Sequence, residues 1–256
     1  MDVDIATGTL VTFLLLSTRI FAVLLVAPPF NGGLVPVRVR LAVAVSIGML
    51  FVSGTPTRSP LALPLQTSEV VFAVLGQVLV GLAFGFMIQV LLAAFQLAGS
   101  MIDLSAGLSA GALYDPMTQS QSTPVGRLFQ MVSLVLLITL NGHLLILRGI
   151  LRSFEAAPLA SVQIGRLGPT IADGLGLLFV AALEIAFPVL AALTLAEAAL
   201  AIATRAAPKM NILAIGFGVK SLVLLLVLAL GLPLMANATT NLLDAGLRWG
   251  ATVIGS

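Results

Sequence analysis

Long apolar blocks alternate along this chain with short breaks of glycine, proline and small polar residues. The blocks fall near 10–27, 41–53, 70–95, 128–147, 175–196 and 212–236. Most approach the ~20 residues an α-helix needs to cross the hydrocarbon core of a bilayer. The pattern predicts an all-α membrane chain of about six hydrophobic helical segments. The block 41–53 is short for a span and reads as half of a re-entrant hairpin with the first. The turn between them carries Pro28-Pro29, Gly32-Gly33 and Pro36, all strong breakers. The first residues, Met1-Asp2-Val3-Asp4, are acidic, whereas a secretory signal begins with positive charge. The apolar run continues to Val26, so this end is expected to remain as a helix.

Two breaks read as linkers. Gly54–Thr67 holds Pro56, Pro60 and Pro64 and is expected to be extended. Pro158–Asp173, with Gly165, Gly168 and Pro169, is the expected boundary between a larger N-terminal part, 1–165, and a C-terminal helical pair, 166–256. The turn of that pair is Thr204–Asn211, containing Arg205, Pro208, Lys209 and Asn211. Within the third block, Gly81 and Gly85 form a small-xxx-small pair, which lets two helices approach closely where hydrophobicity no longer drives association. A contact within the chain is the first expectation and an intersubunit contact the second.

Composition narrows the class. Only 9% of the 256 residues are charged and 59% are hydrophobic, against roughly 25% charged in soluble domains. The surface must therefore face lipid, apolar partner subunits, or both. Net charge is +2, with no basic patch interleaved with aromatics, which argues against nucleic-acid binding. Cysteine is absent, so disulfides, thiolate zinc sites and iron–sulfur clusters are ruled out. Counting Arg and Lys in alternate loops does not orient six spans. Arg38, Arg40, Arg127, Arg205 and Lys209 on one side balance Arg58, Arg148, Arg152, Arg166 and Arg248 on the other.

Charges inside the apolar blocks are costly and so are functional candidates: Arg19, Glu184, Glu197 and Lys220. They suit a proton relay, an ion site or buried pairing between subunits. Glu184 and Glu197 stand thirteen positions apart (197 − 184), roughly 3.6 helical turns, and so do not share a face as a dyad. Pro188 between them is positioned to kink the helix. Glu197 also lies near enough to a helix end to reach water. Gln77, Gln89 and Gln96 in the third block are expected to bond across to neighbouring helices, with a polar stripe lining a conduit as the alternative. His143 is the only histidine; with no cysteine it builds no metal site. With no nucleophile elbow nearby it is no catalytic base. It is expected to bond a backbone carbonyl where Gly142 loosens the helix. No phosphate-binding glycine loop is present.

The segment Gly107–Pro124 is a polar island in this apolar chain. It holds Gly107, Ser109, Gly111, Tyr114, Asp115, Pro116 and Met117, followed by hydroxyl and amide side chains. Such a stretch cannot lie bare in hydrocarbon; it needs protein or a water-filled space beside it. Tyr114-Asp115-Pro116 is a turn signal, because proline biases Asp115 away from helix. An ordinary connecting loop carries much the same residues, but small flexible residues on one side and polar ones on the other also suit a stopper that blocks a passage and then yields.

Several fragments in order resemble the FliR family of flagellar export-gate proteins, with the virulence-secretion SctT proteins as more distant relatives. They are Arg19, Ala27-Pro28, Val35–Leu41, Gln77–Phe86, the Gly107–Pro124 loop with Asp115-Pro116, Leu140–His143, Ser153-Phe154 with Pro158, and Ala207–Asn211 running to Phe217. The resemblance implies a structural, non-enzymatic subunit without cofactors, embedded in the bacterial inner membrane and the flagellar basal body. It implies that 1–165 is FliP-like and 166–256 FliQ-like, completing a helical ring of FliP-like and FliQ-like subunits. FlhA-like and FlhB-like export proteins are then expected near the Arg205–Asn211 turn, and unfolded flagellar proteins are the expected cargo. The loop from Gly107 to Pro124 is expected to plug the closed channel. Two alternatives remain at this stage: a gate subunit of a virulence system, and a small-solute secondary transporter working through Glu184 and Lys220. No repeat relates the two halves, which counts against the transporter.

Overall fold

In the computed structural model the described residues are 2–28, 30–31, 35–54, 67–108, 123–156, 167–206 and 212–255. They form seven helices: α1, Asp2–Val26; α2, Val37–Gly54; α3, Thr67–Ala106; α4, Pro124–Thr139; α5, Gly142–Ala156; α6, Leu167–Ala206; and α7, Ile212–Gly255. The all-α expectation holds, but the segment count shifts. Among the described residues three helical stretches are long and apolar enough to cross a membrane, Gly8–Val26, Ser68–Ala106 and Ala172–Arg205, or four if α4 and the start of α5 form one broken span.

The differences have local causes. The block 128–147 divides because Leu140 and Asn141 close α4: the Leu140 amide donates to the Leu136 carbonyl at 2.9 Å, and Asn141 takes a left-handed φ of 56°. Asparagine tolerates that conformation better than most residues, and it ends the helix before Gly142 begins the next. The expected linker Pro158–Asp173 is overturned over its second half, because α6 already begins at Leu167. Gly168 and Pro169 fall in its first turn, where a missing amide costs no intrahelical bond. Helix α6 also runs on through Pro188. The linker 54–67 lies almost wholly outside the described residues.

Two compact units divide the chain. The first comprises Met1–Val90, His143–Gly174 and Ala245–Ser256. Its core joins Ile20, Val23 and Ala27 of α1, Ala44 of α2, Phe84 and Met87 of α3, and Ile150 of α5. Helices α1 and α3 meet backbone to side chain. A Cβ on Gly81 would lie 2.5 Å from the Arg19 carbonyl oxygen, and one on Gly85 would lie 2.9 Å from that of Val23. The expected small-xxx-small contact is thus a contact within this chain.

The second unit comprises Leu91–Gly142 and Leu175–Asp244. Phe95, Ala98 and Ile102 of α3, Phe129 of α4, Ala182, Ala186 and Leu193 of α6, and Leu224 of α7 form its core. Alanine recurs where α6 packs, which brings backbones close. The opposite side of α6 exposes Phe179, Leu183, Phe187 and Leu195. An apolar face of that extent needs lipid or protein against it.

Candidate functional site

Two arrangements of polar groups stand out, one in each unit. In the first unit Arg19 is fully buried. Its Nε donates to Gln77 Oε1 on α3, and its Nη1 donates to the Ser153 carbonyl at 2.7 Å and to Ser153 Oγ at 3.2 Å on α5. One planar guanidinium thereby ties three helices together, with several donors at fixed angles. Gln77 and Ser153 are buried with it. Gln89 bonds across as well: its Oε1 accepts from Asn31 Nδ2 at 2.8 Å, fastening α3 to the turn after α1.

In the second unit, polar groups gather where α3 ends and α4 begins, at the two roots of the polar island. Gly107 takes φ 78° and closes α3. Its amide donates to the Leu104 carbonyl at 3.2 Å, and the Leu108 amide reaches back to the Asp103 carbonyl at 3.0 Å. This pair of bonds is a Schellman motif, which requires a left-handed residue that glycine supplies without strain. Leu108 then packs against the core. At the other root Thr123 stands at the N-cap with Pro124 following, but its hydroxyl makes no cap bond. It donates instead to Ser100 Oγ on α3 at 3.3 Å. The cap comes from across the junction: Asp103 Oδ2 accepts from the Val125 and Gly126 amides at 2.9 and 3.0 Å. The two helices can approach this closely because both are glycine at the contact. A Cβ on Gly99 would lie 2.6 Å from Gly126 Cα.

A charge pair sits on the same end of α3. Lys220 Nζ on α7 meets Glu197 Oε1 on α6 at 2.8 Å and the Ser105 carbonyl at a longer 3.4 Å. A cation at a helix C-terminus faces the negative end of the dipole. Glu197 is 64% exposed, so the pair is screened wherever water reaches it. Lys220→Met should therefore lower the thermal stability of the detergent-solubilised chain by less than about 1 kcal/mol. A melting shift corresponding to twice that would show the pair to be worth more than its exposure allows.

Of the residues singled out by sequence, Arg19 and Gln77 meet in the first unit, and Glu197 and Lys220 meet in the second. Glu184 is exposed on α6 and Arg205 exposed near its end. His143 is exposed at the start of α5 and makes no hydrogen bond among the described residues, so the expected bond to a carbonyl is not found. Gly107 is a root of the loop; Ser109, Gly111, Tyr114, Asp115, Pro116 and Met117 lie outside the described residues, as do Pro208, Lys209 and Asn211. Asp103 was missed. It lies beyond the apolar block that ends near 95, and only the continuation of α3 to Ala106 puts it inside a helix. An aspartate among Met101, Ile102 and Leu104 was the available signal.

Comparison with known proteins covers most of the chain. The family model for bacterial export proteins, family 1, matches residues 10–246. The flagellar biosynthetic protein FliR of Bacillus subtilis (strain 168) is 31% identical over 212 residues, 81% of each chain. FliR of Escherichia coli (strain K12) is 29% identical over 221 residues, covering 85% of this chain and 83% of its own. The surface presentation of antigens protein SpaR of Shigella flexneri is 28% identical over 233 residues, 89% of each.

Proposed function

Because the chain belongs to the bacterial export proteins of family 1, we propose that it is a structural subunit of the flagellar type III export gate, which forms and seals the channel for unfolded flagellar proteins. The observation that carries this reading is the match of nearly the whole chain to that family, with a FliR protein of Bacillus subtilis 31% identical to it. The physical features support it. Apolar faces such as that of α6 are exposed among the described residues and suit sister subunits as well as lipid. The helices on either side of the polar island, α3 and α4, are joined through Asp103.

In this reading 1–165 plays a FliP-like part and 166–256 a FliQ-like part, completing a ring of FliP-like and FliQ-like subunits. The chain sits in the bacterial inner membrane at the flagellar basal body. The turn with Arg205, Pro208, Lys209 and Asn211 faces FlhA-like and FlhB-like proteins at the cytoplasmic entrance. The role is steric and not catalytic, and the loop with Ser109, Gly111, Tyr114, Asp115, Pro116 and Met117 is the stopper. The similarity to SpaR favours a virulence-secretion gate as the second reading.

The test replaces residues 109–122 by a short glycine–serine linker in the assembled gate. Resting ion leak should rise steeply while flagellin export persists. A gate that stays tight without the native loop would rule the stopper out.

A further inference from the structure

Glu184 is exposed on α6 and makes no hydrogen bond or ion pair among the described residues. Between Asp173 and Thr194 every other residue is apolar, glycine or proline. Glu184 stands eleven positions after the first (184 − 173) and ten before the second (194 − 184), roughly 15 Å along the helix either way. It therefore lies at the middle of a stretch about as long as the hydrocarbon core is thick, and its short side chain cannot snorkel to water. Val180, Leu183 and Phe187 are exposed beside it. Lys220, the only basic residue of α7 within the second unit, is taken by Glu197.

A second acceptor is freed at the same place. Pro188 stands four positions on, and α6 runs through it. Proline has no amide, so the main-chain carbonyl of Glu184 loses the donor that a helix would give it. Pro188 is exposed as well. A carboxylate and a freed carbonyl of one residue thus share an otherwise apolar face. Lipid tails would cover the phenylalanines and leucines, but they supply neither a donor nor a charge, and a bare carboxylate at that depth is costly. A neighbouring helix that brings N–H donors meets both needs.

We propose that the outer face of α6 docks an apolar helix of another gate subunit that carries a basic side chain opposite Glu184, whose carboxylate and freed carbonyl receive its N–H donors. The proposal rests on the export-gate reading and deepens it by naming the chemistry of one subunit contact. Phe179, Leu183 and Phe187 supply the apolar area around the pair, and exclusion of water by such a rim strengthens the charged contact at its centre.

The test compares the gate purified through a tag on this chain with the purified chain alone, both in one detergent. Glu184→Leu strands the partner's cation and should lower co-purification of the companion gate subunits at least about tenfold. Glu184→Gln keeps an acceptor without the charge and should fall between Leu and native. The melting temperature of the single chain should be unmoved by either change, because Glu184 makes no bond within it. Glu184→Lys should abolish assembly, and a basic-to-Glu change on one apolar helix of a companion subunit should restore it. The chain has no native cysteine, so Leu183→Cys is a unique label site beside the pair. N-ethylmaleimide should react with it about tenfold more slowly in the gate than in the single chain, as at a desolvated contact. The pairing is overturned if Glu184→Leu assembles at native level, which would leave the face to lipid, or if Leu183→Cys reacts equally fast in both states. It is also overturned if Glu184→Leu lowers the melting temperature of the single chain as far as it lowers assembly, since Glu184 would then act in folding. A native chain that brings down no companion subunit sinks the gate reading itself.

Discussion

Gly81→Val should nearly abolish accumulation of the chain in the membrane. A Cβ at this position would sit 2.5 Å from the Arg19 carbonyl oxygen and 2.6 Å from Ala22 Cβ. Real Cβ atoms do not approach that closely, and the first of these neighbours is main chain, which cannot rotate away. Helices α1 and α3 would have to separate, and their separation would loosen Ile20, Val23, Phe84 and Met87 in the core they share. Overpacking typically costs about 1–3 kcal/mol, and a clash with backbone belongs at or above the top of that range. Gly176, which has open space around it, is the control. Gly176→Ala should be neutral or slightly stabilising in mid-helix, by at most about 1 kcal/mol. Membrane-fraction levels of the two variants, measured side by side, check the pair. Equal levels would show that α1 and α3 do not depend on that contact.

The same positions show what could be read from the chain without coordinates and what could not. Spacing alone marked Gly81 and Gly85 as a close-packing face, because a four-residue interval puts both on one side of a helix and small residues there have one common use. Gln77 and Gln89 were legible as cross-bonding groups for a similar reason: an amide in an apolar helix must find a partner. Their partners were not legible. Arg19 and Ser153 are 134 residues apart, and nothing in local pattern joins them. Glycine and proline also misled at one place. Gly168 and Pro169 look like linker residues, yet both are tolerated in the first turn of a helix, so α6 begins earlier than the pattern suggested. At the loop, the polar island itself was conspicuous, but its anchor was not. Asp103 stands among Met101, Ile102 and Leu104, which marks it as a charge in apolar company, but nothing in the local pattern points to its amide partners on α4.

Arg19→Leu should be as damaging as Gly81→Val, by a different route. Leucine fills much of the space but offers no donor, so Gln77 Oε1 and the Ser153 carbonyl lose the guanidinium that serves them. Each buried acceptor left without its donor costs about 1–3 kcal/mol, and two are affected. The loss is therefore expected at about 2–6 kcal/mol, comparable to the whole margin by which many domains stay folded. Arg19→Lys retains the charge but concentrates its donors at one point, and a single ammonium cannot copy the fork that reaches α3 and α5 together. It should fall between native and Leu. Pairing the change with its partner gives the sharper measurement. In Arg19→Leu with Gln77→Leu, one orphaned acceptor disappears along with its donor, so the double variant should melt above Arg19→Leu alone, with a coupling of about 1 kcal/mol or more. Thermal melts of the purified chains in one detergent supply all four corners of that cycle. Strict additivity would mean that the guanidinium stabilises the unit through packing of its stem, and not by tying three helices through their polar groups.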